Sequence, residues 1–234
     1  MVELFSDLNN LRILAALAML AIASTLDIWK REIHDILWIV FGVIAVILIV
    51  FSPMPFEVLK TTGISLIIAP LAIVIWRIGV FGGADAFGLI VLAALFPQMS
   101  ISGNIVTPFT TLTNAAILSI TPIFVNVVRN IIAMSKHENI FEGFEETKLK
   151  KTLAVFFGYR ARNPKYSFPI ERKEGNSKKF DFSLKHAENT QFCDTSNTWV
   201  TPGIPYMVYI TAGFVVQLLF GDIIFNTFGM IKGS

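Results

Sequence analysis

Two aspartates beside apolar stretches are the residues of this chain whose types and spacing could do chemistry. Asp27 closes one apolar block in STLDIWKREIHD, and Asp85 opens another in GGADAF. A charge at the centre of a membrane helix costs roughly 2.5–3.5 kcal/mol even on lenient scales, so each carboxylate is a functional hypothesis. Two carboxylates that meet share a proton, because like charges a few ångströms apart cannot both ionise. One then acts as base toward a water molecule while its protonated partner donates to a carbonyl oxygen, which is the chemistry of amide hydrolysis.

Small residues lead into the second aspartate. Gly79, Gly82, Gly83 and Ala84 carry little or no side chain, and the glycines allow backbone dihedrals that other residues resist. Taken alone, the glycines favour close helix packing or a tight turn. Combined with the two aspartates, they favour a loop that lets an extended substrate approach Asp85.

Two further carboxylates follow the first aspartate. Glu32 and Asp35 lie beside Lys30 and Arg31, and the ordinary interpretation is that these charges balance one another at a membrane interface. They could also draw a cationic substrate segment toward the site.

The elements that must position these residues are membrane helices. The 234 residues are 54% hydrophobic and only 15% charged, and the apolar residues form separate blocks rather than short alternating runs. We predict an all-α integral membrane protein with six transmembrane helices and a small mixed α/β cytoplasmic subdomain. The six blocks lie at residues 11–27, 34–52, 58–77, 85–97, 109–133 and 203–221.

Charges in the short loops predict the orientation. Lys30 and Arg31 follow the first block, Arg77 follows the third, and several lysines follow the fifth, so these loops are expected in the cytoplasm. The uncharged loop at 97–108 is expected outside, and both termini are then external. This alternation brings Asp27 and Asp85 to the same, cytoplasmic face.

The hydrophilic stretch 135–200 divides the chain. We predict residues 1–134 as the first five helices with the aspartates, 135–200 as the cytoplasmic subdomain, and 201–234 as the sixth helix and C-terminus. Within the subdomain, a helix is expected to pass into a strand at 153–160, followed by short strands near 165–172 and 178–184. Its basic residues could contact anionic lipid, although a solvated surface is the commoner outcome.

Other site classes find little support in the sequence. The single cysteine, Cys193, cannot form an intramolecular disulfide, and three scattered histidines make no ligand set, so no metal or cofactor is expected. P-loop, HExxH and GxSxG motifs are absent from the sequence. A net charge of +2 gives no argument for a nucleic-acid partner.

These residues resemble a known family. GGADA at 82–86 and DIWKREIHD at 27–35 are similar to the paired aspartate motifs of type IV prepilin peptidases, most of all their archaeal branch, the preflagellin peptidases. The wider group, which includes presenilin, is named for a Gly-x-Gly-Asp motif. Ala84 stands in place of its second glycine, a departure that archaeal members tolerate. The paired cysteines of many bacterial members are absent here, so N-methylation is not expected. TPGIPY at 201–206 is similar to the proline-containing approach to the family's final helices.

The resemblance implies a membrane aspartyl endopeptidase with Asp27 and Asp85 as catalytic pair. Its implied partners are preflagellin, the precursor of an archaeal flagellum subunit, possible pilin-like precursors, and membrane lipid. Family substrates carry a short basic leader before a long hydrophobic helix, which places the scissile bond near the cytoplasmic face. The alternatives are a protease that cuts within the hydrocarbon region, a proton- or cation-coupled transporter using the same carboxylates, and a structural subunit of a surface filament.

Overall fold

The computed structural model is mostly helical and divides into two units. The helical unit comprises Met1–Ser119 and Pro205–Ser234, and the mixed unit comprises Ile120–Ile204. The structure describes residues 2–97, 99–100, 105–175, 177–183, 190–224 and 226–227. The division expected at 134 and 200 stays a prediction.

Helices make up nearly all of the helical unit. In chain order its elements are α1 (Val2–Trp29), α2 (Ile36–Val50), α3 (Pro55–Ser65), α4 (Ile68–Arg77), α5 (Gly83–Leu95), the short antiparallel pair β1 (Met99–Ser100) and β2 (Ile105–Val106), α6 (Phe109–Leu118) and, from the far end of the chain, α9 (Tyr206–Phe220).

Length and apolarity make this a membrane protein. Among the described residues, three helical stretches are long and apolar enough to cross a bilayer, at Asp7–Trp29, Pro55–Arg77 and Phe109–Ser135. Three shorter apolar helices are α2, α5 and α9. Large side chains such as Ile39 and Val43 of α2 are exposed, as expected where the surroundings are lipid rather than water. Six crossings therefore remain a prediction.

The core of the helical unit lies where α1, α2, α5 and α9 meet. Small residues such as Ala16 and Ala86 let the helices approach closely. The larger buried side chains include Met19, Leu20, Leu89, Leu92, Met207, Ile210 and Phe214.

A buried arginine ties three of these helices together. Arg12 of α1 donates from Nη1 to the carbonyl of Leu95 at 3.2 Å and from Nη2 to the carbonyl of Leu48 at 2.8 Å. Those carbonyls lie in the last turns of α5 and α2, where helix dipoles favour a cation. The guanidinium therefore stabilises the C-terminal ends of α2 and α5. It lies at the opposite end of α5 from Asp85.

The mixed unit combines two helices with small sheets. Its elements are α7 (Thr121–Ser135), α8 (Lys148–Phe157), the antiparallel sheet in the order β3 (Tyr159–Ala161), β7 (Thr198–Pro202), β4 (Ser167–Pro169), and the hairpin of β5 (Glu171–Glu174) with β6 (Ser177–Phe180). Trp199 on the central strand is fully buried and donates from Nε1 to the Ile140 carbonyl at 2.7 Å. Phe144 and Phe180 stack beside it with ring centroids 4.3 Å apart.

The strand expected at 153–160 is wrong over most of its length, because α8 continues to Phe157. Two asparagines of α7 donate hydrogen bonds to the carbonyls at the C-terminal end of α8. Asn126 donates to Phe156, and Asn130 donates to Val155 and Gly158. This capping from another helix supplies the partners that a helix end needs, and it cannot be read from the local alternation that suggested a strand.

Candidate active site

The side chain of Asp85 is held by a backbone N–H at the start of α5. Its Oδ2 accepts a hydrogen bond from the Gly82 N–H at 2.9 Å, and the residue is only 8% exposed. Gly82 is the N-cap of α5 and Asp85 lies in the first turn, where the helix dipole stabilises a carboxylate. Of the three glycines before Asp85, only Gly79 adopts a positive φ, at 80°. Gly82 is therefore an N-cap with an ordinary extended backbone, at φ −79° and ψ 165°.

Asp27 lies two residues before the end of α1 and is held by a different helix. Its Oδ2 accepts a hydrogen bond from the backbone N–H of Met207 at 3.2 Å. The C-terminal end of α1 is unfavourable for a carboxylate, whereas the N-terminal end of α9 is favourable. The charge of Arg31, just past the end of α1, also acts on Asp27.

The first turn of α9 connects the two aspartates. The ring of Tyr206 stacks on Phe81, immediately before the Gly82 turn, with centroids 5.6 Å apart and planes 20° apart. The charge of Asp85 acts on Tyr206. The Met207 side chain packs on Gly88, where an added Cβ would lie 2.9 Å from the methionine Cε. The structure thus brings Asp27 and Asp85 to the same end of the helical unit, around one helix turn.

Hydrogen bonds also join α1 to α9 about one helix turn before Asp27. Ser24 Oγ donates to the Met207 carbonyl at 3.0 Å and lies 2.6 Å from Thr211 Oγ1. Thr211 lies within reach of the Leu20 carbonyl, at 3.2 Å. Asp27 is therefore carried on a tightly joined pair of helices.

Three other carboxylates, Glu32, Asp35 and Asp222, take different positions. Glu32 and Asp35 are exposed on the segment between α1 and α2, and Asp35 is the N-cap of α2 without a side-chain capping bond. Asp222 is buried just past the end of α9, where Thr113 donates to it at 3.2 Å. The 15 residues of α9 span about 22 Å, so Asp222 lies at the opposite end from Met207.

Two carboxylates at one end of a helix bundle can support acid–base chemistry on an amide. Among the residues that the structure describes, no group of three or more His, Cys, Asp or Glu side chains could hold a metal ion. Sequence reasoning missed Tyr206 and the Met207 N–H as parts of this region. The only local signal was the proline-containing TPGIPY segment, which marks a helix start but not what that start contacts.

The chain is similar in sequence to known proteins along most of its length. A family model described as Archaeal Peptidase A24 C-terminus Type II matches residues 120–223. This match covers the mixed unit and α9 but neither aspartate.

Curated relatives extend the similarity to the aspartates' part of the chain. A preflagellin peptidase of Methanococcus maripaludis is 29% identical over an alignment of 217 residues, and the alignment covers 87% of this chain and 92% of the relative. One from Methanocaldococcus jannaschii is 26% identical over an alignment of 232 residues that covers 92% of this chain and 95% of the relative. One from Methanococcus voltae is 24% identical over an alignment of 221 residues that covers 87% of this chain and 92% of the relative.

Proposed function

We propose, from the premise that this chain belongs to the preflagellin peptidase family and is a peptidase, that it removes the short basic signal peptide from preflagellin. The observation that carries the assignment of the site is the position of two helix-end aspartates around the first turn of α9, where Met207 binds Asp27 and Tyr206 stacks on the residue before the Gly82 turn. The transporter alternative finds no support in the relatives, all three of which are named as peptidases.

The proposed reaction uses Asp27 and Asp85 as a pair. One carboxylate takes a proton from a water molecule as the water oxygen attacks the scissile carbonyl carbon. The other, protonated, donates its proton to the carbonyl oxygen, which gives a neutral tetrahedral intermediate. In the collapse, the protonated carboxylate gives its proton to the leaving nitrogen, the other carboxylate takes a proton from a hydroxyl of the intermediate, and the C–N bond breaks, so the pair again holds one shared proton. Its apparent pKa values belong to the pair rather than to either residue.

The proposed membrane arrangement has six crossings, with the aspartates and the 135–200 subdomain at the cytoplasmic face and both termini outside. Lys30, Arg31 and Arg77 support it, because short basic loops are retained in the cytoplasm. Residues 1–134 then carry both aspartates, and residues 201–234 supply the helix whose first turn binds Asp27 and stacks on Phe81. Lipid surrounds the exposed apolar side chains of the helical unit.

Substrate contacts follow from this arrangement. Preflagellin, and pilin-like precursors of the same design, place a basic leader in the cytoplasm and an apolar helix in the bilayer. Glu32 and Asp35 are exposed near the end of α1, where they contact the basic leader. Gly82, Gly83 and Ala84 leave room for the extended segment beside Asp85.

The experiment is cleavage of purified preflagellin in detergent by the unaltered protein and by Asp27→Asn and Asp85→Asn, with the cut located by mass spectrometry. Each substitution removes one acid–base group, so we expect a loss of about 10²–10⁴-fold or more. Asp7→Asn is the matched control, because Asp7 is exposed near the other end of α1. Full activity in either site variant would rule out the pair, and a cut within the apolar helix would indicate an intramembrane protease.

A further inference from the structure

The segment that leads into Asp85 has one large buried side chain. Between Gly79 and Asp85 the side chains are small except for Val80 and Phe81; Val80 is 57% exposed and Phe81 is 8% exposed. Phe81 directly precedes the Gly82 N–H that binds the Asp85 carboxylate. The position of Phe81 therefore affects the position of that carboxylate.

The ring of Phe81 stacks on the ring of Tyr206. The two rings are nearly parallel, with centroids 5.6 Å apart, and the Tyr206 hydroxyl also hydrogen-bonds to Ser119. The next backbone N–H along the chain, that of Met207, binds Asp27. A displacement of this helix turn would therefore move the partners of both carboxylates.

We propose that Tyr206 is a positioning residue for the peptidase reaction, because its ring holds the Phe81–Gly82 turn and so sets where Asp85 lies relative to Asp27. The inference rests on the function proposed above and adds a residue to it. The ring face, rather than the hydroxyl, performs this role. Small displacements of reacting groups lower rates steeply, by as much as about 10²-fold for 1 Å.

The test compares Tyr206→Leu, Tyr206→Phe and Phe81→Leu in preflagellin cleavage, with kcat, KM and the pH profile of kcat/KM measured for each. Leucine at either position removes the stacked pair, and we expect kcat to fall by about 10–10²-fold. The pH profile should change as well, because the separation of the pair's apparent pKa values depends on how closely the carboxylates interact. Tyr206→Phe keeps the ring and is expected to stay within about threefold of the unaltered protein.

Tyr209 is the matched control. It lies one turn further along α9, with its ring 6.3 Å from that of Tyr206. Tyr209→Leu is expected to keep the pH profile even if it lowers stability, because partial unfolding reduces the number of active molecules without changing the survivors' site. Equal effects of Tyr206→Leu and Tyr209→Leu on the pH profile would overturn the proposal, as would a Tyr206→Phe variant as impaired as Tyr206→Leu.

A second measurement needs no activity and separates this inference from the proposed function. In a Cys193→Ser background, Ala84→Cys places a thiol in the first turn of α5, and its alkylation rate by a small maleimide reports how well ordered that turn is. We expect Tyr206→Leu and Phe81→Leu to raise that rate several-fold and Tyr209→Leu to leave it unchanged. An unchanged rate in all three would overturn the positioning role, whether or not preflagellin is cleaved.

Discussion

Asp27 and Asp85 each accept a hydrogen bond from a backbone N–H at the start of a helix, although the helices differ. For Asp85 the donor lies three residues away in its own helix turn. For Asp27 it lies 180 residues away on α9. Hydrogen bonds to a charged group contribute about 1.5–3 kcal/mol each, so each carboxylate is held in place before any substrate arrives.

Glu146 shows how a carboxylate stabilises the mixed unit. Burial alone would raise the pKa of Glu146, but hydrogen bonds from Lys150 and the Phe180 N–H, with the charges of Lys150 and Lys179, lower it below its ordinary value of 4.5. A lowered folded-state pKa gives stability that is present above the unfolded value and is lost as pH falls through the folded one.

We therefore expect Glu146→Gln to lower the unfolding free energy of the mixed unit at pH 7 by about 1–3 kcal/mol, and to flatten its loss of stability below about pH 4.5. Thermal unfolding across pH, followed by near-ultraviolet circular dichroism, measures both effects. Glu145→Gln is the control, since Glu145 is exposed. Parallel pH curves for Glu146→Gln and the unaltered protein would contradict the assignment.

The proposed contact of Glu32 and Asp35 with the substrate leader predicts that KM depends on the leader's charge. If they contact the basic leader, replacing one leader lysine or arginine by glutamate should raise KM about two- to fivefold, in keeping with the modest strength of exposed ion pairs. The double variant Glu32→Lys/Asp35→Lys should reverse that preference. Initial rates at several substrate concentrations measure it, and a leader-independent KM would remove both residues from the site.

At the scale of elements, α6 and α9 pack with almost no space between their backbones. A Cβ added at Gly213 of α9 would lie 2.6 Å from the Thr111 carbonyl and 2.7 Å from the Ala115 nitrogen of α6. Buried side chains tie the same helices. Asn114 donates to the Gly221 carbonyl at 2.9 Å, and Gln217 exchanges hydrogen bonds with Thr107 and Thr111. This pair supports the helix whose first turn binds Asp27 and stacks on Phe81.

Gly213→Ala should therefore push α9 away from α6 and destabilise the protein by about 1–3 kcal/mol, the usual cost of overpacking. The matched control is Gly63→Ala in α3, where a Cβ meets nothing within 4 Å. Alanine there should stabilise by about 0.5–1 kcal/mol, because glycine is a poor helix former. Thermal unfolding of both variants in detergent tests the contrast, and equal shifts would show that the α6–α9 contact is looser than described.

For the whole molecule, the distribution of charge predicts an orientation that labelling can test. In a Cys193→Ser background, Glu57→Cys lies in the first turn of α3 and Lys173→Cys lies on β5, and both native residues are exposed. A membrane-impermeant maleimide should label position 57 in intact cells and position 173 only in inverted vesicles, because the basic loops are expected in the cytoplasm. The reverse pattern would invert the proposed arrangement.

Much of the architecture could be predicted from the sequence, and the exceptions have identifiable causes. The apolar blocks at 11–27 and 34–52 correspond to α1 and α2, since hydropathy over consecutive residues reflects the surrounding solvent. The helix at 148–157 was partly mistaken for a strand, because its end depends on asparagines of α7. Tyr206 and Met207 were missed because a tyrosine and a methionine after a proline carry no distinctive local pattern.

The sequence by itself determined that this is a membrane protein of mainly apolar helices, and that Asp27 and Asp85 stand at helix ends. Those properties depend on neighbouring residues, whose hydropathy and charge can be read in order. Only the tertiary structure decided that α9, at the far end of the chain, brings a backbone donor to Asp27 and an aromatic ring to the Asp85 turn. Such contacts join residues more than 100 positions apart, and they exist only because helix packing places those residues side by side.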